Sequence, residues 1–469
     1  RSALMVGVRS ASAMWIVLFA VYAATLGIPA FQDADVGGDE PHHLLTAESI
    51  VTDGDIDVRN QYAEQAYTAF YPYLLEPLGV LTQARRHEPT GAGFPLLIAP
   101  AYALGGAPGV GILLAAISAL AFVLAAALAR RVVPEPWASG AALACGLSPP
   151  ALAYSTTVLP EMAAGALLAG AALLALRVRE EPLLRFALPA AVLLSLAPWL
   201  SIRFAPAALV IAFALVRWLL RRGRRFQAFF AGEMVLFSAV LYVTINQAVY
   251  GGPVPQAAAA PGTGAFGEAF PLGYLERSYR LVGLWVDRDY GALRWAPVVA
   301  LAFWGLWLLY RSRRERLALA VGERIQVEVA ALLCALACAA QVLMAIFLAG
   351  TMFGFWFPGR HLVAALPLAV PLVAWGLRHA PRVGGALVVL TLGASVWLVV
   401  ELRLDGTGWI GPASDAPFGP LTALLPDFGT ATAGAIVAWA VAGVAAVALL
   451  GREWWRARTD PLAGPLRFE

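Results

Sequence analysis

Lysine is absent from this 469-residue chain, so all 33 of its Lys+Arg residues are arginine. Charge of either sign is scarce: Asp, Glu, Lys and Arg make up 13% of the residues, against about 25% in soluble domains. With 60% of the residues hydrophobic, that deficit excludes an ordinary water-soluble globule and makes lipid the main solvent. Cysteine is nearly missing as well. Cys145, Cys334 and Cys338 all lie inside apolar runs, which excludes a disulfide framework or a zinc site and leaves them as small packing residues. The two halves show no internal repeat, and no separate soluble domain is visible.

What is abundant is apolar sequence in blocks that fit a bilayer, whose core takes about 20 helical residues to cross. Candidate spans fall near 12–31, 107–129, 137–154, 160–177, 185–199, 202–220, 227–249, 294–310, 326–349, 361–377, 383–401 and 431–450. The first is too long, with too poor a cleavage site, for a signal peptide and reads as a retained span. With the N-terminus cytoplasmic, and leaving aside Arg1, Arg9 and Arg467 near the chain ends, twenty arginines fall on the cytoplasmic side and ten on the other, as the positive-inside rule expects. The Arg221–Arg225 and Arg311–Arg316 runs read as topology signals facing anionic lipid, and nothing points to nucleic acid. The chain is thus expected to be an all-α, multi-pass protein of a bacterial inner membrane, with about 12 spans and both termini cytoplasmic. Residues 1–469 form one integral membrane domain, with extracytoplasmic loops at 32–106, 250–293, 350–360 and 402–430.

Against this background one stretch stands out. "DADVGGDEPHHLLTAESIVTDGDID", residues 33–57, holds eight carboxylates and two histidines. Asp39–Glu40–Pro41 reads as a helix start and Gly54 as its stop. The spacing of Leu44, Ala47, Ile50 and Val51 predicts an amphipathic helix lying on the outer membrane surface. His42 and His43, three and four residues past Asp39, share its side of that helix. Asp53, Asp55, Asp57 and Glu64 mimic the acid spacing of a calcium loop, but Val58 and Arg59 sit where such loops need Gly and a ligand, so a solvated turn is expected.

"GDEPHHLLTAESIVTDGDIDVRNQY" resembles the first outer loop of the GT-C membrane glycosyltransferases, the group of protein O-mannosyltransferases and lipid A aminoarabinose transferases. "TTVLPEMAAG" (156–165), "PWLSIRFAP" (198–206), "DRDYGALRWAP" (287–297) and "GFWFPGRHLVAALP" (354–367) look like further segments of that family, in order. His361 departs from it, since relatives often carry Tyr after the arginine. The resemblance implies a GT-C-like fold that uses a polyprenyl-phosphate-linked sugar donor and a glycan, lipid or protein acceptor. Asp39 is then the general base with Glu40 beside it, and Arg203, Arg360 and His361 hold the donor phosphate. His42, His43, Glu161, Asp287 and Tyr290 orient substrate. A divalent cation, Mg²⁺ or Mn²⁺, is used by some families of this fold and not by others; Asp39, Glu40 and Glu161 are the oxygen donors available for one.

Each of these residues also has a plainer use. Asp39 and Glu40 are good helix caps, Glu161 opens a span after Pro160, and Arg203 and Arg360 sit where arginines snorkel to headgroups. Asp287, Arg288 and Asp289 can pair with one another on a loop. Trp285, Trp295, Trp356 and Tyr290 fit an interfacial aromatic belt. Two other functions compete: a lipid-linked glycan flippase or transporter, which would place charge in mid-membrane, and a polysaccharide polymerase or ligase. The near absence of charge within the spans, and the acids crowded at one face, favour the glycosyltransferase.

Overall fold

The structure, a computed structural model, describes residues 2–31, 34–82, 85–259, 276–311, 322–352, 357–406, 408–409, 425–428 and 433–459. The described part is a helical bundle; its only regular strands are the two-residue pair Leu81–Thr82 and Arg85–Arg86. The helices that matter below are α1 (Ser2–Ala23), α2 (Glu40–Thr52), α3 (Gly93–Ala129), α4 (Trp137–Gly146), α5 (Pro149–Thr156), α6 (Glu161–Glu180), α7 (Leu184–Leu200), α8 (Ala205–Arg221), α9 (Arg225–Tyr250), α10 (Arg280–Val286), α11 (Ala300–Arg311), α12 (Gly322–Leu343), α13 (Leu366–His379), α14 (Pro381–Asp405) and α15 (Ala433–Thr459).

Every expected span has a helical counterpart, with two revisions. The expected span at 137–154 is two short helices, α4 and α5, meeting at an extended Ser148. The cause is local: Pro149 disfavours the α conformation in the residue before it. The loop expected to run to residue 106 is already helical from Gly93, and Gly105 and Gly106 break α3 into two segments, Gly106 at φ +59°. Only glycine adopts that geometry cheaply. By length and composition six described helices can cross a bilayer, and four shorter apolar ones accompany them.

The centre of the bundle is α13, buried on almost every face and packed on α3, α4, α11 and α12. It meets α11 backbone to backbone. A β-carbon on Gly305 would stand 2.0 Å from the Leu372 carbonyl oxygen, and one on Gly376 2.4 Å from that of Leu301. Small residues at a crossing let membrane helices gain packing that the hydrophobic effect cannot supply in lipid. Against this core α3, α6, α7 and α8 pack as neighbours, α2 lies along α3, and α8 abuts α12.

The helix following Asp39 differs from expectation in character. α2 spans Glu40–Thr52 with Pro41 in its first turn, and Gly54 at φ +75° closes it by donating its amide N–H to the Ser49 carbonyl. Yet Glu40 through Ala47 are all buried, charged and apolar alike. α2 is therefore not an amphipathic surface helix: its first two turns are enclosed by protein. Only its C-terminal turn reaches the surface, where Asp53 accepts from Asn60 and Gln61 and Asp55 accepts from Ser49 and the Asp57 amide. Those acids are spent on a turn, as the sequence indicated.

Candidate active site

Four segments far apart in sequence deliver charged side chains to one end of the bundle. Asp39 precedes α2, and its side chain makes no capping bond to that helix. Glu161 is the first residue of α6, where a carboxylate is favoured by the helix dipole. Arg203 lies in the turn between α7 and α8, after an extended Ser201 whose hydroxyl accepts from its Nε at 3.2 Å. Arg360 follows Gly359, which takes φ +91° against Pro150; a β-carbon there would be strained by the backbone itself. Tyr154 on α5 fixes the approach to this turn by donating its hydroxyl to the Phe357 carbonyl at 2.5 Å.

These four side chains form one chain of ion pairs. Arg360 donates from Nη2 to Asp39 Oδ2 at 2.5 Å and from Nε to Glu161 Oε1 at 3.1 Å. Arg203 Nη2 reaches the same Glu161 oxygen at 3.2 Å. Glu161 and Arg360 are almost fully enclosed, whereas the Asp39 side chain is 38% exposed. Asp39 therefore stands at the open rim and the arginines behind it. Two cations against two anions make the cluster neutral as it stands, which a partly desolvated site requires.

Burial alone would raise the Asp39 carboxyl, but the Arg360 guanidinium and its hydrogen bond outweigh burial and hold it below the ordinary carboxylate range. Glu40 has the opposite fate. Its Oε2 accepts from the Gly37 amide at 2.9 Å and its Oε1 from the Val158 amide at 2.5 Å. Burial outweighs those bonds and pushes its carboxyl up to about 8. Glu40 thus ties the loop before α2 to the segment before α6 through both of its oxygens. His43 packs edge-to-face on Phe94 with ring centroids 5.0 Å apart. Burial lowers it to about 3, so it is neutral, and its Nδ1 has no partner among the described residues.

The remaining expected residues bond to groups outside the ion-pair chain. His42 turns from Asp39 to Tyr62, whose hydroxyl donates to Glu88 at 2.7 Å, with His42 Nδ1 2.9 Å from that hydroxyl. His361 is buried beside Arg360 in sequence, but its Nε2 faces the Thr351 carbonyl at 3.1 Å and makes no bond to the cluster. Asp287 spends its oxygens on the amides of Asp289, Tyr290 and Phe428, which makes it the centre of a turn. Tyr290 is held in that turn by its amide bond to Asp287. Trp295 is 1% exposed, set edge-on against Phe357 and donating to the Asp289 carbonyl, so it belongs to the core and not to an interfacial belt. Trp356 lies outside the described residues. Glu88, Tyr62 and Tyr154 were not singled out in the sequence, because nothing local to "RRHEP" or "ALAYS" marks a residue whose partner is twenty or more positions away.

Asp39, Glu40 and Glu161 do not fit a divalent cation. Glu40 is occupied by amides, Arg360 stands between the other two, and no group of three metal-ligating side chains exists among the described residues. The positive charge at this site belongs to guanidinium groups.

Behind Arg360 lies an apolar cavity of about 330 Å³ between α10, α11, α12 and α13. Gly359 and Pro150 line it beside the turn that carries Arg360, Leu306 and Ala335 line its far end, and Trp285 and Phe303 one wall. A polar head and a long apolar tail can be held by this site together.

No protein-family model matches the sequence, and no curated protein matches it. Among solved structures the chain is similar to the crystal structure of ArnT from Cupriavidus metallidurans in the apo state, at 16% identity and a TM-score of 0.49, over 80% of this chain and 62% of that one. It is also similar to ArnT from the same organism bound to undecaprenyl phosphate, at 13% identity and a TM-score of 0.48, over 97% and 79% of the two chains. A third likeness is to the arabinosyltransferase EmbB from Mycobacterium smegmatis, at 14% identity and a TM-score of 0.42, over 86% and 41%. The chain spans less than two thirds of the apo ArnT chain's length.

Proposed function

We propose that this chain is a GT-C-like membrane glycosyltransferase that moves a sugar from a polyprenyl-phosphate donor to an acceptor hydroxyl at the extracytoplasmic face of a bacterial inner membrane. The observation that carries the reading is the Asp39–Arg360–Glu161–Arg203 chain set at the head of the apolar cavity that Gly359 lines. The sequence segments that resemble the family are the segments that supply those four residues. Both termini are cytoplasmic in this reading, and the whole chain is one membrane domain.

The chemistry follows from the parts. The donor's lipid tail takes the apolar cavity, and its phosphate takes Arg203 and Arg360 as charge-assisted donors. A phosphate on Arg360 competes with Asp39 for the same guanidinium. Donor binding therefore weakens the pair that keeps Asp39 acidic, and Asp39 becomes basic enough to act. The acceptor oxygen attacks the anomeric carbon and the bond from that carbon to the phosphate oxygen breaks. The phosphate leaves with the electron pair, and the acceptor proton passes to Asp39. Attack opposite the leaving group inverts the anomeric centre. The two arginines stabilise the departing anion, so no acid is needed there. In this reading Glu161 positions both guanidiniums and neutral His43 orients a hydroxyl beside Asp39.

Incubating the purified chain with a panel of polyprenyl-phosphate sugars should release polyprenyl phosphate with one of them. Asp39→Asn should then lower the turnover rate by roughly 10²- to 10⁴-fold, the range of a general base, while the protein still folds. A loss below tenfold would remove Asp39 from the base role. Movement of the intact donor across the bilayer with no lipid phosphate released would point instead to a transporter.

A further inference from the structure

Arg179, Arg217, Arg221 and Arg222 read in the sequence as topology signals alone, yet in three dimensions they converge. Arg179 lies in the last turn of α6, and the other three are in or just after the last turns of α8. Together they line a cavity of about 700 Å³ between α8, α11 and α12. Glu161 and Arg203 stand at the opposite ends of this pair of helical segments. Eighteen residues separate Glu161 from Arg179, and eighteen separate Arg203 from Arg221. At about 1.5 Å per residue the two clusters lie roughly 27 Å apart, close to the thickness of a bilayer core. The second cavity therefore belongs to the other membrane face and is distinct from the Asp39 site.

Its chemistry is that of an amphiphile site. Among the described residues no ion pair engages Arg217 or Arg221, and the Arg222 guanidinium donates to the Arg179 carbonyl, at 3.0 Å. Among the described residues that line the cavity Glu328 is the one carboxylate, and Glu180 acts on Arg179 from the next position. Trp218 and Tyr310, side chains suited to the headgroup level, flank them. Beyond the arginines the walls become apolar at Leu309 and Leu332 and continue to Leu306 and Ala335, which also bound the apolar cavity from the other face. A free anion would need the arginines but not this wall.

We propose that this cavity binds a phospholipid with an anionic, phosphate-bearing headgroup. The phosphate sits among Arg179, Arg217, Arg221 and Arg222, and an acyl chain lies along Leu309, Leu332 and Leu306. The basic ends of α6 and α8 would then recognise one bound lipid rather than only sense the surface potential of the leaflet.

The test is native mass spectrometry on the full chain in detergent, titrated with dioleoylphosphatidylglycerol, with dioleoylphosphatidylcholine, and with glycerophosphoglycerol as the bare headgroup. The expected result is preferential retention of phosphatidylglycerol. Retention should weaken roughly thirtyfold in R217Q/R221Q, about fivefold for each basic residue near the lipid surface. It should hold in R224Q/R225Q, which removes the same charge from neighbouring positions off the cavity. Equal losses in the two double variants, equal retention of phosphatidylcholine, or a bare headgroup bound as tightly as the lipid would each overturn the proposal. Should R217Q/R221Q fail to fold, phosphatidylglycerol with a photoreactive acyl chain can be crosslinked to the unmodified chain. Adducts near Leu306 and Leu332 support the site, and adducts confined to other helices overturn it.

Discussion

Asp39 is held acidic by Arg360, and the proposed donor phosphate loosens that hold. This makes a kinetic prediction. The acid limb of kcat/KM reports Asp39 in the free enzyme, paired with Arg360 and below the ordinary carboxylate range. The acid limb of kcat reports it with donor bound, where the phosphate has taken the guanidinium and added negative charge. The limb of kcat should therefore lie at higher pH than that of kcat/KM. Limbs that coincide in pH-rate profiles would show that donor and Asp39 do not share Arg360. Glu40 makes a prediction about stability. Its folded-state value, about 8, lies above its ordinary 4.5, so between those values the folded chain keeps a proton that the unfolded chain has lost. Its stabilising contribution is complete below the lower value and disappears as pH rises through the upper one. The melting temperature in detergent should fall between pH 5 and 8.5, and Glu40→Gln should flatten that slope. The same substitution should cost about 1–3 kcal/mol at acidic pH, because its amide NH₂ faces a backbone donor that the second carboxylate oxygen now satisfies.

At the level of elements, the site is an assembly of helix ends. α2, α6 and α8 each begin next to a charged side chain of the cluster, and the turn before α13 carries the fourth. Their relative placement depends on close packing behind them, and the crossing of α11 over α13 is the tightest point. Because the β-carbon of Gly305 or Gly376 would fall within 2.0–2.4 Å of a carbonyl oxygen, either position replaced by Val must push the helices apart. Overpacking of this kind costs on the order of 1–3 kcal/mol. Gly305→Val and Gly376→Val should lower the melting temperature and reduce turnover together, since the turn holding Arg360 leads into α13. Retained stability with normal turnover in both variants would show that this crossing does not set the site.

Over the whole molecule the proposed division of labour is between a charged end and an apolar channel. Ala369 lines the channel on α13, away from the four charged residues. Ala369→Trp should fill it and raise KM for donors with long prenyl tails by about tenfold or more, since several buried CH₂ groups at about 0.8 kcal/mol each would lose their place. KM for a short-chain analogue should change little. A uniform change across chain lengths, measured by initial rates, would place the tail elsewhere.

How much of this was legible beforehand varies with the range of the interaction. Scarcity of charge, the blocks of apolar sequence and the sorting of arginines indicated a multi-helix membrane protein. The helix caps at Pro41 and Gly54 were readable too, because each depends on a residue and its immediate neighbours. Ser148 and Gly105–Gly106 were equally local, but the breaks they make lie inside apolar runs, where hydropathy alone cannot register them. Asp39, Glu161, Arg203 and Arg360 could each be nominated from their own segments. Their union in one ion-pair chain, 321 positions apart between Asp39 and Arg360, could not. The same holds for the hydrogen-bond partners that Glu40, His42, His361 and Asp287 take. The sequence by itself determined the solvent this chain lives in and the residue types available for chemistry, since these follow from composition and short-range periodicity. Only the tertiary structure decided which charges neutralise one another, because that depends on which helix ends the packed core brings within hydrogen-bond reach.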